Sequence, residues 1–246
     1  MSKKQELVKQ ETNEVAEVSA LDAWGPSQMD KSDLVIPKLL LMQGLSKAVA
    51  DGVAKMGDFV NSLTNEVLGD ANIPVTVVPI YMNKFWTVSQ VQGNRFIRTV
   101  QYGPENANLS WRGVEKIDGN NVEIKNELTR SFYVLPKKDG HLQPTPMIIS
   151  FKGMSSKAGQ ILASQMYSTN QQLKLPPPGF NIDLSATKVS NAKGTFFVLA
   201  IKPTDKSTNE EMAEALKWYK VINSTGVNID PKENDAPNFA DAELEF

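Results

Sequence analysis

The stretch Ile73–Val91 constrains the fold more than any other part of the chain. It gathers Val75, Val77, Val78, Ile80, Tyr81, Phe85, Trp86 and Val88, and β-branched and aromatic residues at this density suit a pleated, half-buried surface. A turn at Gln92-Gly-Asn94 leads to a second extended run, Arg95-Phe-Ile-Arg-Thr-Val-Gln-Tyr102. Simple alternation in that run places Arg95, Ile97 and Thr99 on one face and Phe96, Arg98, Val100 and Tyr102 on the other. Long paired strands of this kind call for an antiparallel sheet.

The rest of the chain has the same character. Val35–Met42 is a short apolar run beside Pro37 and reads as a strand. Gly57–Gly69 reads as two short extended pieces around a polar turn. Residues 103–130 hold the turn chemistry of loops and a hairpin, at Gly103-Pro104, Trp111-Arg112-Gly113 and Asp118-Gly-Asn-Asn121. Arg130–Pro136 and Pro146–Lys152 are further β runs. A helix is predicted over Ser155–Tyr167, with Ala158, Ile161, Leu162 and Met166 at helical spacing. Pro176-Pro-Pro178-Gly179 is a rigid connector. Leu184–Val189 and Thr195–Ile201 form a hairpin, and a last helix spans Ser207–Ile222 with Ser207 or Thr208 as its cap. The expected class is mainly β with minor α. An OB-like (oligonucleotide-binding) antiparallel barrel with insertions and a C-terminal helix fits the order of elements; a β-sandwich with appended helices is the other option. Residues 1–34 are expected to be a mobile acidic arm, 35–224 the domain, and 225–246 a disordered acidic tail.

Composition narrows the chemistry. With no cysteine and His141 as the sole histidine, disulfide frameworks, thiolate sites, imidazole triads and multi-histidine zinc sites are excluded by count. There is no GxGxxG and no GxxxxGK[ST], so phosphate-cradling loops of those types are missing. The carboxylates form no cluster suited to two-metal catalysis. The expectation is a non-enzyme without cofactor or metal. No apolar run is long enough for a membrane span and the N-terminus lacks a signal-peptide core, so a cytoplasmic setting without membrane contact is expected.

Aromatic residues interleaved with cations are more informative. Lys84-Phe85-Trp86, Arg95-Phe96-Ile97-Arg98 with Tyr102, and Trp111-Arg112 fall within thirty residues. Binders of single strands need flat π faces for bases and nearby Lys or Arg for phosphates. Adjacent strand residues point to opposite faces, so Phe85 and Trp86 cannot both face a ligand and one fills the core. Lys137 and Lys138 in a hairpin loop, with Lys152 and Lys157 further on, form a second basic set; OB loops grip nucleic-acid backbones, and solvated loop lysines are the plainer explanation.

Charge is unevenly spread. The whole chain is at −2, yet residues 1–34 carry four Lys against seven acidic residues, and 233–246 carry five carboxylates and no cation. The middle, 35–232, therefore holds 22 basic and 16 acidic residues. A basic body flanked by acidic ends lets the tail cover the body's own positive surface. The tail closes on Asp241-Ala-Glu243-Leu244-Glu245-Phe246. An aromatic anchor beside its own carboxylate suits a partner pocket with an apolar floor and a basic rim.

That tail resembles the acidic tips, ending in Phe, of bacterial and phage single-stranded-DNA-binding proteins. With Ile36-Pro-Lys-Leu39, Gly57-Asp-Phe59 and Ser155-Ser-Lys157 in the basic, β-rich middle, the chain looks like a phage-encoded member of that class. The resemblance implies an OB barrel, sequence-independent binding of single-stranded DNA in replication or recombination, and tail contacts to partner proteins. The chain departs from the bacterial type in length, in lacking a long Gly/Gln-rich linker and in a less acidic tail. The bacterial tetramer does not carry over, and a monomer or dimer is expected. A strand-annealing recombination protein and a virion structural or assembly protein are the alternatives.

Overall fold

The structure is a computed structural model that describes residues 35–92, 95–103, 112–117, 119–173, 179–192 and 194–225. The chain divides into two units, Met1–Val35 and Ile36–Phe246, and the described strands and helices belong to the second. The predicted arm 1–34, the tail from 226 onward, Trp111, and the Pro176–Pro178 connector lie outside the described residues.

The frame is two very long antiparallel strands, β4 (Val75–Gln92) and β7 (Asn120–Lys138). Before them come β1 (Leu39–Leu41), the one-turn helix α1 (Lys47–Ala50), β2 (Phe59–Asn61) and β3 (Val67–Gly69); β1, β2 and β3 pair in that order as a small sheet. Between the long strands lie β5 (Arg95–Tyr102) and β6 (Arg112–Ile117). After them come β8 (His141–Leu142), β9 (Met147–Phe151), helix α2 (Ser156–Leu173), the hairpin β10 (Phe180–Asn191) and β11 (Gly194–Lys206), and helix α3 (Asn209–Thr225).

The long strands change neighbours halfway. At one end β10 pairs with β4 at 75–77 and β9 pairs with β7 at 130–134, giving the order β11-β10-β4-β7-β9. At the other end β5 pairs with β4 and β6 with β7, giving β5-β4-β7-β6. The class is mainly β and antiparallel with a C-terminal helix, as expected. So is the connectivity of the first end: three strands, a helix, then a hairpin.

The ladders of the expected OB-like barrel do not close it into a ring among the described residues. Among the described residues no ladder joins β9 to β11; the segment around β1 bridges Lys38 to Ile148 on one side. On the other side the Gln43 amide takes both backbone groups of Phe197, donating to its carbonyl and accepting from its N–H, each at 2.9 Å. Ser155 Oγ accepts from Leu199 N–H at 2.9 Å. Pro203, on the same alternation as Phe197 and Leu199, has no N–H to offer. An edge strand whose donors are occupied or missing does not recruit a further strand.

The main core lies on one face of the sheet: Val75, Val77, Phe132, Val134, Ile149, Phe151, Ile182, Leu184 and Leu199, closed by Leu162 and Met166 of α2. Phe132 and Phe151 meet edge to face at 5.4 Å. Gly159 is required for this approach, because a Cβ there would lie 2.5 Å from Cβ of Phe151. Of the predicted helix face, Ile161 is the exception and is 44% exposed. On the other face Val78, Ile80, Tyr133, Leu135 and Ile148 pack against Ala215, Trp218 and Ile222 of α3. Strands buried on both faces at this end account for the uninterrupted apolar run at 77–80.

The cap of α3 is Thr208: its Oγ1 accepts from Glu211 N–H at 3.2 Å, and Glu211 Oε2 accepts from Thr208 N–H at 2.9 Å, a reciprocal capping box. The same carboxylate meets Lys137 Nζ at 2.5 Å, pinning the helix to β7. Burial pushes the Glu211 carboxyl up, but the Lys137 hydrogen bond and charge, with the Thr208 N–H and Asn181, outweigh it and hold it below its ordinary value. Tyr133, buried and beside Tyr81, has its phenol pushed up to about 12.

Candidate nucleic-acid interface

Two bulges decide which residues share a face. In the β4–β7 ladder Pro79 pairs with Val134 and Tyr81 with Tyr133, leaving Ile80 as the extra residue. An extra residue reverses the alternation. Beyond it Met82, Lys84 and Trp86 continue the face of the main core, while Tyr81 and Phe85 continue the face that α3 covers. The β4–β5 ladder has a second slip: Gln90 pairs with Arg98 and Val91 with Phe96, so Ile97 is extra.

The second bulge corrects the expected alternation of β5. Arg95, Arg98 and Tyr102 stand opposite Gln92, Gln90 and Trp86, and directly opposed residues share a face. Arg95 thus shares the register parity of Arg98 and Tyr102, and Phe96 holds a register position opposite buried Val91. Five of the predicted residues therefore occupy register positions on one face: Lys84, Trp86, Arg95, Arg98 and Tyr102. Phe85, opposite Thr129, and Arg112, opposite Lys125, occupy the reverse face.

Arg130 was not anticipated. It stands directly opposite Lys84, and Nη1 donates to Ser156 Oγ at 3.2 Å. Neither cation has a carboxylate partner among the described residues, whose ion pairs involve other side chains. Like charges directly opposite repel, so this rung is destabilising unless an anion joins it. The signal was present in the sequence, because Arg130 opens a β run, but its pairing with Lys84 depends on register. One rung further on, Trp86 lies between Leu128 and Tyr102. Its Nε1 is buried with no acceptor among the described residues, while Tyr102 is 40% exposed.

The second basic set does not join this face. Lys137 is committed to Glu211, with the two side chains only 15% and 12% exposed. Lys138 is paired with Glu66, which raises its pKa. Lys157 lies on the rim of a cavity of about 550 Å³ along α2, with Ile161, Gln165 and Phe180. Lys152 lies on the wall of a larger groove, about 1520 Å³, between β9 and β11. The sequence did not single out the other residues of this groove, among them Lys38, Lys47, Phe196 and Phe197. Tail residues Asp241, Glu243, Leu244, Glu245 and Phe246 lie outside the described part, as do the side chains of Arg95, Phe96, Arg98 and Arg112. Among the described residues there is no group of three His, Cys, Asp or Glu placed to hold a metal ion, and no helix long and apolar enough to cross a membrane.

The fold and this face define a β-rich protein that carries aromatic and cationic residues on a ribbon extending from its packed sheet. The chain belongs to the Pam3 phage gp34-like protein family, which it matches over residues 3–228, and is thus a phage protein. No curated protein and no solved structure matches it.

Proposed function

We propose that the protein is a non-enzymatic binder of single-stranded DNA, without sequence preference, that acts in phage DNA replication or recombination in the host cytoplasm. One observation carries this: the register gathers Lys84, Trp86, Arg95, Arg98, Tyr102 and Arg130 on one sheet face. Aromatic planes interleaved with cations serve stacking and phosphate contact together, whatever the base. The connectivity supports the same reading. In OB barrels the loop between the first two strands is one of those that bind oligonucleotides; here that connection is the ribbon itself, built from the far halves of β4 and β7 with β5 and β6. The acidic tail ending in Phe246 then acts as a competitor for this face and a handle for replication or recombination partners.

Fluorescence polarisation with oligo(dT) and with duplex, at two salt concentrations, tests the proposal. Tighter binding of the single strand, weakening with salt and accompanied by tryptophan quenching, is the expected result. Equal affinity for duplex and single strand sinks it.

A further inference from the structure

We propose that a single strand leaving the Lys84–Arg130 rung continues into the groove between β9 and β11, where Phe196 stacks a base and Lys47 and Lys152 hold phosphates. This rests on the function proposed above and extends it to residues outside the ribbon.

Continuity comes first. Arg130 stands opposite Phe151 at the end of β9, and the next residue, Lys152, is on the groove wall. The Arg130 guanidinium bonds Ser156, whose neighbour Ser155 is also on that wall. The rung therefore opens onto the groove through two adjacent points of the backbone. Charge comes second: the lining includes Lys38, Lys47 and Lys152 against Asp51. Neither Lys47 nor Lys152 is paired with a carboxylate among the described residues.

The two phenylalanines of the lining differ in employment. Phe197 packs against the main core, and its ring approaches Gly57 so closely that a Cβ there would lie 2.9 Å from Cε1; it is a structural anchor. Phe196 is half-buried, lines the groove and is packed into none of the three apolar clusters. A half-exposed ring in the same groove as two lysines without carboxylate partners among the described residues is the combination that a stacked, phosphate-linked base uses.

The test compares oligo(dT) of about 8 and about 30 nucleotides, since one OB fold covers roughly 4–16. The chain Met1–Phe246 and a form lacking Glu233–Phe246 are each used as wild type, Phe196→Ala, Phe196→Tyr and the double variant Lys47→Glu/Lys152→Glu. Phe196→Ala should weaken the long oligomer roughly 5- to 150-fold, the range of one stacked base, and leave the short one unaffected. Phe196→Tyr should retain binding, which separates stacking from folding. The lysine pair should lower the log–log salt slope for the long oligomer by about 1.4.

If wild type binds the long oligomer more tightly than the short and every variant does the same, the groove assignment is overturned while the proposed function stands. If wild type binds neither oligomer, both fall. If the groove variants differ from wild type only in chains that retain Glu233–Phe246, the groove is a seat for the acidic tail, and the assignment to nucleic acid is overturned.

Discussion

The two ends of β4 and β7 are the same pair of strands put to opposite uses. At the end shared with β9 and β10, both faces are covered, by α2 on one side and α3 on the other, and side chains such as Val77, Val78, Phe132 and Leu135 are fully buried. At the end shared with β5 and β6, the face continuous with the core changes from Met82 and Phe132 to Lys84 and Arg130 within one alternation. The packed half fixes the register, and the far half carries what that register gathers, with Lys84, Trp86 and Arg130 half-buried. A bulge at Ile80, next to Pro79, marks the transition. Proline is tolerated in a strand where pairing is irregular, so the residue that disturbs the ladder also sets the parity of everything beyond it.

This division has consequences that differ by region. The largest effect belongs to the packed half: Phe132→Ala should destabilise the protein by about 3–5 kcal/mol, seen as a lower urea midpoint. The ribbon should behave in reverse. Replacing Arg95 and Arg98 together by Ala should lower the salt slope for single-stranded DNA by about 1.4 with little change in the urea midpoint. A large loss of stability there would erase the distinction between the halves.

Lys137 and Lys84 sharpen the comparison, since both are lysines on long strands. Lys137→Ala strips a part-buried carboxylate of its partner and should cost about 1–3 kcal/mol of stability while leaving DNA affinity unchanged. Lys84→Ala should weaken binding and relieve the repulsion with Arg130, so its urea midpoint should hold or rise. In the packed half, acid acts through Glu211. Glu211 is held below its ordinary pKa, so its contribution is fully present above the ordinary glutamate range and disappears as pH falls through the lowered value. Glu211→Gln should lower stability at neutral pH and flatten this acid-side decline, measured as urea midpoints at successive pH values. The smallest effect is expected from removing Glu233–Phe246. Loss of five carboxylates should tighten DNA binding modestly, at low salt where screening is weak, and Phe246→Ala should leave that affinity unchanged.

Much of the fold was readable because it arises from local pattern. The β-rich class, the helix between β9 and β10, the β10–β11 hairpin and the terminal helix each announce themselves through periodicity and turn residues. The alternation of β5 was misjudged because a bulge leaves no mark within a strand: Ile97 is an ordinary β residue, and only the pairing with β4 makes it the extra one. Ser207 and Thr208 were equal as caps until the Glu211 carboxylate, three residues beyond Thr208, chose between them.

By itself, then, the sequence determined the class, the order of elements, the asymmetry of charge and the collection of aromatics and cations between Lys84 and Arg112. Tertiary structure alone decided their distribution: Arg95 at a register position on the face of Arg98, Phe96 opposite Val91, Arg130 opposite Lys84 across forty-six positions, and Lys137 withdrawn into an ion pair. It also decided that β9 and β11 stay apart. The physical reason is the same throughout. Side-chain chemistry and short-range alternation are written along the chain. Register, and the occupation of edge hydrogen bonds by distant residues such as Gln43, exist only once strands far apart in sequence have met.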